Sequence, residues 1–247
     1  MILGRSFVIT GASGYLGTAL AQALAARAGT LRLVSRSTPA ALPRGAATIE
    51  AIVADLRTPA AWERVLEGVD TVFHLSAQTN LRWAEANVAA DADANVAPMA
   101  ALLAAAVTRP VRIVFASTAT VVGLPEQARI DPSLPDRPVS VYDRHKREAE
   151  QMLQAAITPT LRGCSLRLAN AYGYGAQSRN GERSVLNAMM RRALAGQPLT
   201  LYGDGQYVRD WIHVRDVVAA FVAAADAPDS ALDGSSYLIG TGVGLSL

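Results

Sequence analysis

Cysteine is nearly absent from this chain, since Cys164 is the only one among its 247 residues. A single cysteine excludes an internal disulfide. Because Cys164 lies in the apolar run Cys164-Ser165-Leu166, we predict a small buried residue in a reducing compartment rather than a reactive thiol. Histidine is also scarce. The three histidines lie far apart, and with one cysteine they offer no spacing typical of a metal site.

The chain also lacks a strong net charge and a long apolar run. It has 23 basic and 21 acidic residues, a formal net charge of +2. Its arginines are spread along the sequence, which argues against a nucleic-acid-binding groove. The sequence shows no basic and apolar leader and no stretch of about 18 uninterrupted apolar residues, so we predict a cytoplasmic protein without a membrane segment.

Apolar segments rich in β-branched residues alternate with longer segments rich in alanine and leucine. Strands that are apolar on both faces predict a Rossmann-type, doubly wound α/β fold, in which helices cover both sides of a parallel sheet. The predicted strands are Phe7–Thr10, Leu31–Ser35, Ile49–Ala54, Thr71–Leu75, Val111–Ser117 and Cys164–Ala169. The predicted helices are 18–28, 60–67, 92–107, 141–156, 184–195 and 213–225.

A glycine-rich turn follows the first predicted strand. The run Thr10-Gly11-Ala12-Ser13-Gly14-Tyr15-Leu16-Gly17 has the spacing of a turn that leads from a strand into a helix at a dinucleotide. Gly11 can adopt a positive φ, Gly14 lets the backbone approach a pyrophosphate, and Gly17 lets the helix lie close to the strand. The free amides at the helix start would then face the anion. An ordinary turn is the alternative.

Tyr142 and Lys146 lie four residues apart, so on a helix they share one face. An ordinary tyrosine titrates near ~10, and a neighbouring cation favours its phenolate form. We therefore predict that the Lys146 ammonium lowers the pKa of Tyr142 and that Tyr142 transfers a proton. Taken alone, a solvated helix face would explain this pair at least as well.

These two motifs occur with others in the order found in the extended short-chain dehydrogenase/reductases, the NAD-dependent epimerase/dehydratase family. The chain resembles this family from residue 5 to residue 246. The further motifs are Asp55, Asn95, Ser117-Thr118, Arg167-x-x-Asn170-x-Tyr172-Gly173 and Arg209-Asp210-Trp211-Ile212-His213-Val214. The resemblance implies a Rossmann enzyme that acts on a nucleotide sugar with a nicotinamide cofactor.

The end of the second predicted strand predicts which nicotinamide cofactor binds. An enzyme that uses NAD tends to carry an acidic residue about 20 residues after the glycines, where it binds the ribose hydroxyls. This chain has Ser35-Arg36-Ser37 there, and a guanidinium between two hydroxyls suits the 2′-phosphate of NADP(H). We therefore predict NADP(H). A solvated arginine in a loop is the alternative.

The resemblance assigns further residues to the cofactor. Asp55 with Leu56 resembles the family's adenine contact, and a strand-end or helix-capping aspartate is the alternative. Asn95 resembles a buried asparagine near the cofactor, whereas His74 is expected to be structural. The predicted cofactor site comprises Gly11, Ser13, Gly14, Tyr15, Leu16, Gly17, Ser35, Arg36, Ser37, Asp55, Leu56, Leu75, Ser76, Ala77, Asn95, Tyr142 and Lys146.

The resemblance also assigns the catalytic residues. Thr118 corresponds to the family's catalytic serine or threonine, and its hydroxyl would bind the substrate carbonyl beside Tyr142. Tyr142 would donate the proton, and Lys146 would hold the nicotinamide ribose. Ser117 is assigned to the substrate together with Thr118, with a plain strand end as the alternative.

Three residues later in the chain are assigned to the sugar nucleotide. Asn170 and Arg209 resemble residues that hold its phosphates, and Tyr202 lies where the family packs the base. A simple pairing of Arg209 with Asp210 is the alternative for that arginine.

Resemblance to particular enzymes within the family predicts the reaction. Ala119 and Thr120 stand where nucleotide-sugar 4,6-dehydratases carry an Asp-Glu pair, so dehydration is not expected. The stretch 191–200 resembles the 4-ketoreductases of deoxysugar biosynthesis. We predict NADPH-dependent reduction of a dTDP-linked 4-keto-6-deoxysugar, with a nucleotide-sugar epimerase as the alternative. A non-catalytic NADP-binding protein is a third hypothesis.

The sequence predicts two regions within the chain and a homodimer of two chains. The Rossmann domain spans 1–169 and the substrate-binding region 170–247, with helix 213–225 returning to the Rossmann part. Relatives usually continue after a segment like Tyr237–Leu247, which resembles a strand and the start of a helix, so we expect the substrate-binding region to be incomplete. The alanine-rich helices 92–107 and 141–156 resemble a dimer interface, which predicts a homodimer.

Overall fold

The computed structural model describes residues 4–37, 41–124, 129–131, 133–173, 185–201 and 205–246. Its strands are Ser6–Thr10 (β1), Thr30–Ser35 (β2), Thr48–Val53 (β3), Thr71–His74 (β4), Val111–Thr118 (β5), Leu161–Leu168 (β6), Asn170–Tyr172 (β7), Arg209–His213 (β8), Asp233–Ile239 (β9) and Gly244–Leu245 (β10). Its helices are Tyr15–Leu24 (α1), Pro59–Val65 (α2), Leu81–Ala86 (α3), Val88–Asn95 (α4), Ala97–Ala106 (α5), Val141–Ala155 (α6), Val185–Leu194 (α7) and Val214–Asp226 (α8).

Seven strands form one parallel sheet in the order β3-β2-β1-β4-β5-β6-β9. The chain runs outward from β1 to β3 and then returns to place β4 on the other side of β1. This reversal opens a crevice at the carboxyl ends of β1 and β4, where ligands bind in sheets of this kind. The predicted doubly wound Rossmann-type fold is confirmed.

Two apolar layers cover the sheet because successive strand residues point to opposite faces. Phe7 and Ile9 of β1 pack in the layer that contains α1 and α8, whereas Val8 packs with α2 and α5. In α1 the buried Leu20 and Leu24 lie four residues apart and therefore share the face toward the sheet. The layers hold the carboxyl ends of the strands in fixed positions.

A second, three-stranded sheet in the order β10-β8-β7 follows the carboxyl end of β6. Its strands are short and mostly exposed, and the sequence did not predict them. Gly244–Leu245 pairs antiparallel with β8, in the segment that was expected to begin a helix. The division at residue 169 stays a prediction, while β9 joins the main sheet and α8 packs against α1.

One helical segment, Val88–Ala106, is long and apolar enough to cross a membrane by length and composition. Its polar residues are used inside the protein. Asp91 accepts from the side chain of Gln78, and the Asn95 side chain bonds to the backbone of the same residue. These contacts describe a helix that packs within the fold.

Candidate active site

The glycine turn connects β1 to α1 beside the loop that follows β4. Gly11 has a φ of 64°, and a Cβ at this position would lie 2.9 Å from the Ser76 backbone. A side chain at Gly17 would collide with the carbonyl oxygen of Gly11. No side chain caps the start of α1, where Gly14 is the N-cap residue. The turn therefore leaves amides and space for a pyrophosphate, with Ser13 partly buried and Leu16 packed on the core.

Thr10 and Asn95 fix the loop after β4. The Thr10 hydroxyl accepts hydrogen bonds from the amides of Leu75 and Ser76, at 3.1 Å each. The Asn95 side chain bonds to both the amide and the carbonyl of Gln78, at 3.1 Å each. The Asn95 side chain thus shapes this loop, which includes Ala77.

His74, at the end of β4, is structural. It is 1% exposed and lies 3.0 Å, at Nδ1, from the Thr10 hydroxyl. Its ring stacks on Phe115 with ring centres 5.7 Å apart. Burial, with a contribution from Lys146, lowers the pKa of His74 to about 3, so the imidazole is neutral.

Arg36 follows β2, at the position predicted to select the cofactor. Arg36 is exposed, and it makes no hydrogen bond or ion pair within the part of the chain that the structure describes. Ser35 is buried and donates to the carbonyl of Ser37 at 2.6 Å, so this hydroxyl shapes the turn instead of facing a phosphate. The predicted frame of two hydroxyls around Arg36 is therefore reduced to the guanidinium and the exposed Ser37 hydroxyl.

Asp55, the predicted adenine contact, is paired with Arg57. The Arg57 Nε lies 2.9 Å from both carboxylate oxygens, and this contact lowers the pKa of Asp55. Arg36 contributes to the same shift through its charge. Leu56 lies in the core, where its carbonyl accepts from the indole of Trp62. Asp55 is exposed and can still accept a further hydrogen bond.

Lys146 is buried next to the strand that ends in Thr118. It is 2% exposed, and its Nζ lies 4.1 Å from the centre of the Phe115 ring. Within the described residues it makes no hydrogen bond or ion pair. Burial lowers the pKa of Lys146 to about 7, although Glu150 and Asp91 act to raise it. A buried ammonium without an acceptor fits the hydroxyls of a nicotinamide ribose.

The predicted effect of Lys146 on Tyr142 is wrong for the protein alone. Burial raises the pKa of Tyr142 above its ordinary 10.0, and the carboxylates of Asp143 and Asp91 raise it further. The physical reason is that Lys146, itself buried, carries only part of a charge near neutral pH, whereas two carboxylates lie close to the phenol. Tyr142 is therefore a protonated hydrogen-bond donor.

A chain of hydrogen bonds brings the end of β5 to the start of α6. The hydroxyl oxygens of Thr118 and Thr120 lie 2.7 Å apart, and Thr120 donates to Asp143. Asp143 is the neighbour of Tyr142 in the first turn of α6, which packs against β5. This series of hydrogen bonds places the Thr118 hydroxyl near the part of α6 that carries Tyr142. Sequence reasoning missed Asp143, although the spacing Ser140-x-x-Asp143 is a capping signal.

The predicted substrate residues are divided between two sheets, since Ser117 and Thr118 end β5 of the main sheet whereas Asn170 and Arg209 lie in the second sheet. Ser117 is 5% exposed and lies on the opposite strand face from Thr118, and its hydroxyl has no hydrogen-bond partner among the described residues. Asn170 and Arg209 are exposed on the neighbouring strands β7 and β8. Tyr202 lies outside the described residues.

Asp210 does not pair with Arg209. Its two carboxylate oxygens accept from the amides of Thr241 and Gly242, at 2.9 and 2.8 Å. Arg209 donates to the Val208 carbonyl, and its guanidinium lies 5.9 Å from the Tyr207 ring centre. The guanidinium remains accessible to an anion.

Tyr15 joins the glycine turn to the region that carries α7. Its hydroxyl donates to the Gly173 carbonyl at 2.9 Å, and the Gly173 amide donates to the Asn187 side chain at 3.1 Å. Burial raises the pKa of Tyr15. The Tyr15 hydroxyl is therefore a structural link, and only the backbone of this residue stays available to a cofactor.

A buried ion cluster supports α6 from behind. Arg167 of β6 bonds to Glu150, which is 1% exposed, and to Asp136. Arg147 of α6 also pairs with Asp136 at 2.5 Å. Arg167, part of a family motif in the sequence, therefore has a structural role.

Comparison with known proteins identifies the family. The profile described as "NAD dependent epimerase/dehydratase family" matches residues 7–240. The chain belongs to this family. The predicted membership in the short-chain dehydrogenase/reductases is confirmed.

Three members of the family illustrate the similarity. A dTDP-L-rhamnose 4-epimerase of Burkholderia thailandensis is 26% identical over 290 aligned residues, covering 100% of this chain and 79% of that protein. The UDP-glucose 4-epimerase of Thermotoga maritima, solved with UDP-glucose, has a TM-score of 0.84 and 27% identity, covering 98% of this chain and 79% of that one. A double mutant of dTDP-glucose 4,6-dehydratase from Streptomyces venezuelae, solved with NAD, has a TM-score of 0.83 and 25% identity, covering 98% and 77%.

These comparisons bear on the prediction of a 4-ketoreductase. The relatives include 4-epimerases that act on dTDP-L-rhamnose and on UDP-glucose, and these favour the epimerase alternative over 4-ketoreduction. They support a nicotinamide dinucleotide as the cofactor, since structural neighbours hold NAD. The glycine turn and the buried Lys146 ammonium fit such a cofactor.

Proposed function

We propose that the protein is a nucleotide-sugar 4-epimerase that retains a nicotinamide dinucleotide. The observation that carries this proposal is the hydrogen-bonded approach of Thr118 to the Tyr142 end of α6, beside the turn of Gly11 and the buried Lys146. The relatives that are 4-epimerases support the same reaction class. The nicotinamide, when bound, supplies reversible hydride transfer.

Tyr142 and Thr118 transfer the proton and bind the oxygen at C4 of the sugar. Tyr142 accepts the proton of the C4 hydroxyl as the carbonyl forms, and it returns the proton when the opposite face is reduced. Thr118 hydrogen-bonds the same oxygen and holds it in place. Both steps use one protonation cycle of Tyr142, so the residue ends each turnover as it began.

Lys146 couples cofactor binding to the acidity of Tyr142. Ribose hydroxyls that accept from the Nζ of Lys146 would stabilise its ammonium form, which burial disfavours in the protein alone. The restored charge would then lower the pKa of Tyr142 from its raised value. The tyrosine becomes a useful base only when the cofactor is in place.

The substrate in this proposal is a hexose linked to UDP or dTDP. Two exposed polar residues on β7 and β8, Asn170 and Arg209, would bind the diphosphate, and a guanidinium suits its oxygens. Tyr202 is proposed to pack on the base. The division into a Rossmann domain and a substrate-binding region at residue 169 remains part of the proposal.

The test is a panel of UDP- and dTDP-hexoses incubated with the purified protein and NAD or NADP, with product configuration read by proton NMR. The proposal expects inversion at C4 of at least one sugar. Thr118→Ala should lower the rate, whereas Thr58→Ala, at the uncapped start of α2, is a matched control that should leave it unchanged. No inversion of any sugar with either cofactor would contradict the proposal.

A 4-ketoreductase is the second candidate, and two observations favour it. The unpartnered guanidinium of Arg36 suits a 2′-phosphate, which points to NADP(H). The raised pKa of Tyr142 keeps the phenol protonated, as a proton donor in a reduction must be. In this candidate the substrate is a dTDP-linked 4-keto-6-deoxysugar, and each turnover consumes one NADPH.

We also propose that the protein forms a homodimer through the helix layer of α4, α5 and α6. The apolar residues of α5 are largely buried within the chain, and the solvent face of α6 carries Arg144, Glu148 and Gln151. The interface would thus be more polar than the sequence suggested. Sedimentation at micromolar concentration tests this proposal, and a monomer would contradict it.

A further inference from the structure

The hydroxyl of Thr118 is the first member of a hydrogen-bond chain that ends on a buried carboxylate. Its oxygen lies 2.7 Å from that of Thr120, which donates to Oδ1 of Asp143. Asp143 is 4% exposed. Its other oxygen accepts from the amide of Ser140 at 3.2 Å, within the capping box that starts α6. Both oxygens of Asp143 therefore face hydrogen-bond donors.

Counting protons along this chain fixes its direction. A carboxylate only accepts, and a hydroxyl has one proton. Thr120 uses its proton toward Asp143, so the contact between the two threonines requires Thr118 to donate to Thr120. The amide of Thr120 also donates to the Thr118 oxygen, at 3.3 Å. Thr118 is left with no proton for a ligand and with one free lone pair.

We propose that Asp143 and Thr120 are positioning residues that make the Thr118 hydroxyl an acceptor, so that the site prefers its sugar in the alcohol form at C4. This inference rests on the proposed function, because it takes Thr118 as the group that meets the C4 oxygen. When the alcohol binds, its C4 hydroxyl donates to Thr118 without disturbing the hydrogen-bond chain, and it turns this single proton to Tyr142 for the transfer. A C4 carbonyl has only lone pairs, and Thr118 can serve it only by rotating away from Thr120.

The direction of the chain also bears on the two candidate reactions. An epimerase binds and releases alcohols and makes the ketone only between its two hydride transfers. A 4-ketoreductase must bind the ketone from solution, which the Thr118 orientation disfavours. One hydrogen bond of this kind corresponds to roughly a three- to tenfold preference in affinity.

Neutron diffraction on crystals of the full chain, exchanged into heavy water near neutral pH, reads the direction without any substrate. The expected map has a deuteron on Thr120 directed at Asp143 and a deuteron on Thr118 directed at Thr120. A deuteron on Asp143, or a Thr120 deuteron directed at Thr118, would overturn the inference. This result is independent of whether the protein proves to be an epimerase.

Two variants of Thr120 supply the functional readout. Thr120→Val removes the hydroxyl at nearly constant volume, and Thr120→Ser is the matched control that keeps it. Calorimetry with the cofactor present gives dissociation constants for UDP-glucose, an alcohol at C4, and for dTDP-4-keto-6-deoxyglucose. The ratio of the two constants is compared between variants, so the difference in nucleotide cancels.

Thr120→Val should shift this ratio roughly three- to tenfold toward the ketone, while Thr120→Ser keeps the wild-type ratio and cofactor affinity stays unchanged in both. A purely structural role would weaken both sugars equally, and that result, or an unchanged ratio, overturns the inference. If the wild type inverts no sugar at C4 but the ratio shifts as expected, the proposed function fails and the positioning role stands. If neither probe binds, the proposed substrate class fails and the deuteron map alone decides the inference.

Discussion

The Nζ of Lys146 lies 4.1 Å from the centre of the Phe115 ring, with the whole residue 2% exposed. Lys146 is also the only lysine among the 23 basic residues of the chain. A buried cation that faces an aromatic ring retains some stabilisation, but it loses the hydrogen bonds that water supplies. The fold therefore carries a destabilising group at the position where a ribose would accept its protons.

Lys146→Met should remove one pH dependence of stability. Because the pKa of Lys146 falls from 10.5 to about 7 on folding, the unfolded chain binds a proton between these values that the folded chain has lost. The free energy of unfolding should thus rise from pH 7 to pH 9 in the wild type. The variant keeps the apolar stem without the charge, so its rise should be smaller.

Urea unfolding at pH 7, 8 and 9 measures this difference. Values above pH 9 are less informative because the thiol of Cys164, with a pKa raised from 9.0 to about 12 by burial, begins to act in the opposite direction. The same pH dependence in both proteins would mean that Lys146 is not buried as described. Cofactor affinity should fall at least about tenfold in the variant, since it lacks the ribose donor.

Tyr142→Phe separates chemistry from binding. The phenol is proposed to move the proton at C4, so its loss should lower turnover by roughly 10²- to 10⁴-fold, the usual scale for a positioned acid or base. Cofactor affinity should change little. Steady-state rates and cofactor titration measure the two effects, with Tyr237→Phe, at an exposed position on β9, as the matched control. Full activity of Tyr142→Phe would end the mechanism.

Arg36→Ala tests the choice of cofactor. If the free guanidinium binds a 2′-phosphate, the wild type should bind NADPH at least about tenfold more tightly than NADH, and the variant should lose most of that gap. Arg57→Ala is the control, because Arg57 is paired with Asp55 and should affect both cofactors alike. Equal dissociation constants for the two cofactors in the wild type would refute NADP(H).

Arg167→Met tests the ion cluster behind α6. Among the described residues it leaves the carboxylate of Glu150, 1% exposed, with Arg147 at 3.7 Å as its remaining ion-pair partner. Loss of its closest partner leaves a buried charge poorly compensated, which costs about 3 kcal/mol of stability, whereas loss of an exposed pair costs far less. Arg57→Ala breaks such an exposed pair and serves as the comparison in the same unfolding experiment. Equal losses of stability in the two variants would contradict a stabilising role for the buried cluster.

The apolar strands β1 to β6 of the main sheet were predictable from the sequence, and the short polar strands of the second sheet were not. The run Phe7-Val8-Ile9 is wholly buried, so its composition alone identifies β1. The strands β7, β8 and β10 are short and carry polar residues that reach water. They form because Asp210 ties the 241–242 loop to β8, a contact between residues about 30 positions apart that no local pattern shows.

Features of the candidate site that depend on local geometry were also predictable, and those that depend on tertiary packing were not. Gly11 and Gly17 follow from spacing, because their backbone geometry is local. The spacing of Tyr142 and Lys146 predicts a shared helix face, but the shift of their pKa values depends on burial and on Asp91, which lies in another helix. The bond from Thr120 to Asp143 spans 23 positions and exists only because α6 packs on the end of β5.

The stoichiometry of nicotinamide against sugar tests the central claim most directly. Purified protein is given a UDP- or dTDP-hexose with catalytic NAD(P), and separately dTDP-4-keto-6-deoxyglucose with NADPH, while nicotinamide absorbance and product configuration are followed together. A nucleotide-sugar 4-epimerase should accumulate many C4 epimers for each cofactor and consume no NADPH overall. One NADPH oxidised for each ketosugar reduced, with no inversion of any hexose, would contradict it and identify a ketoreductase.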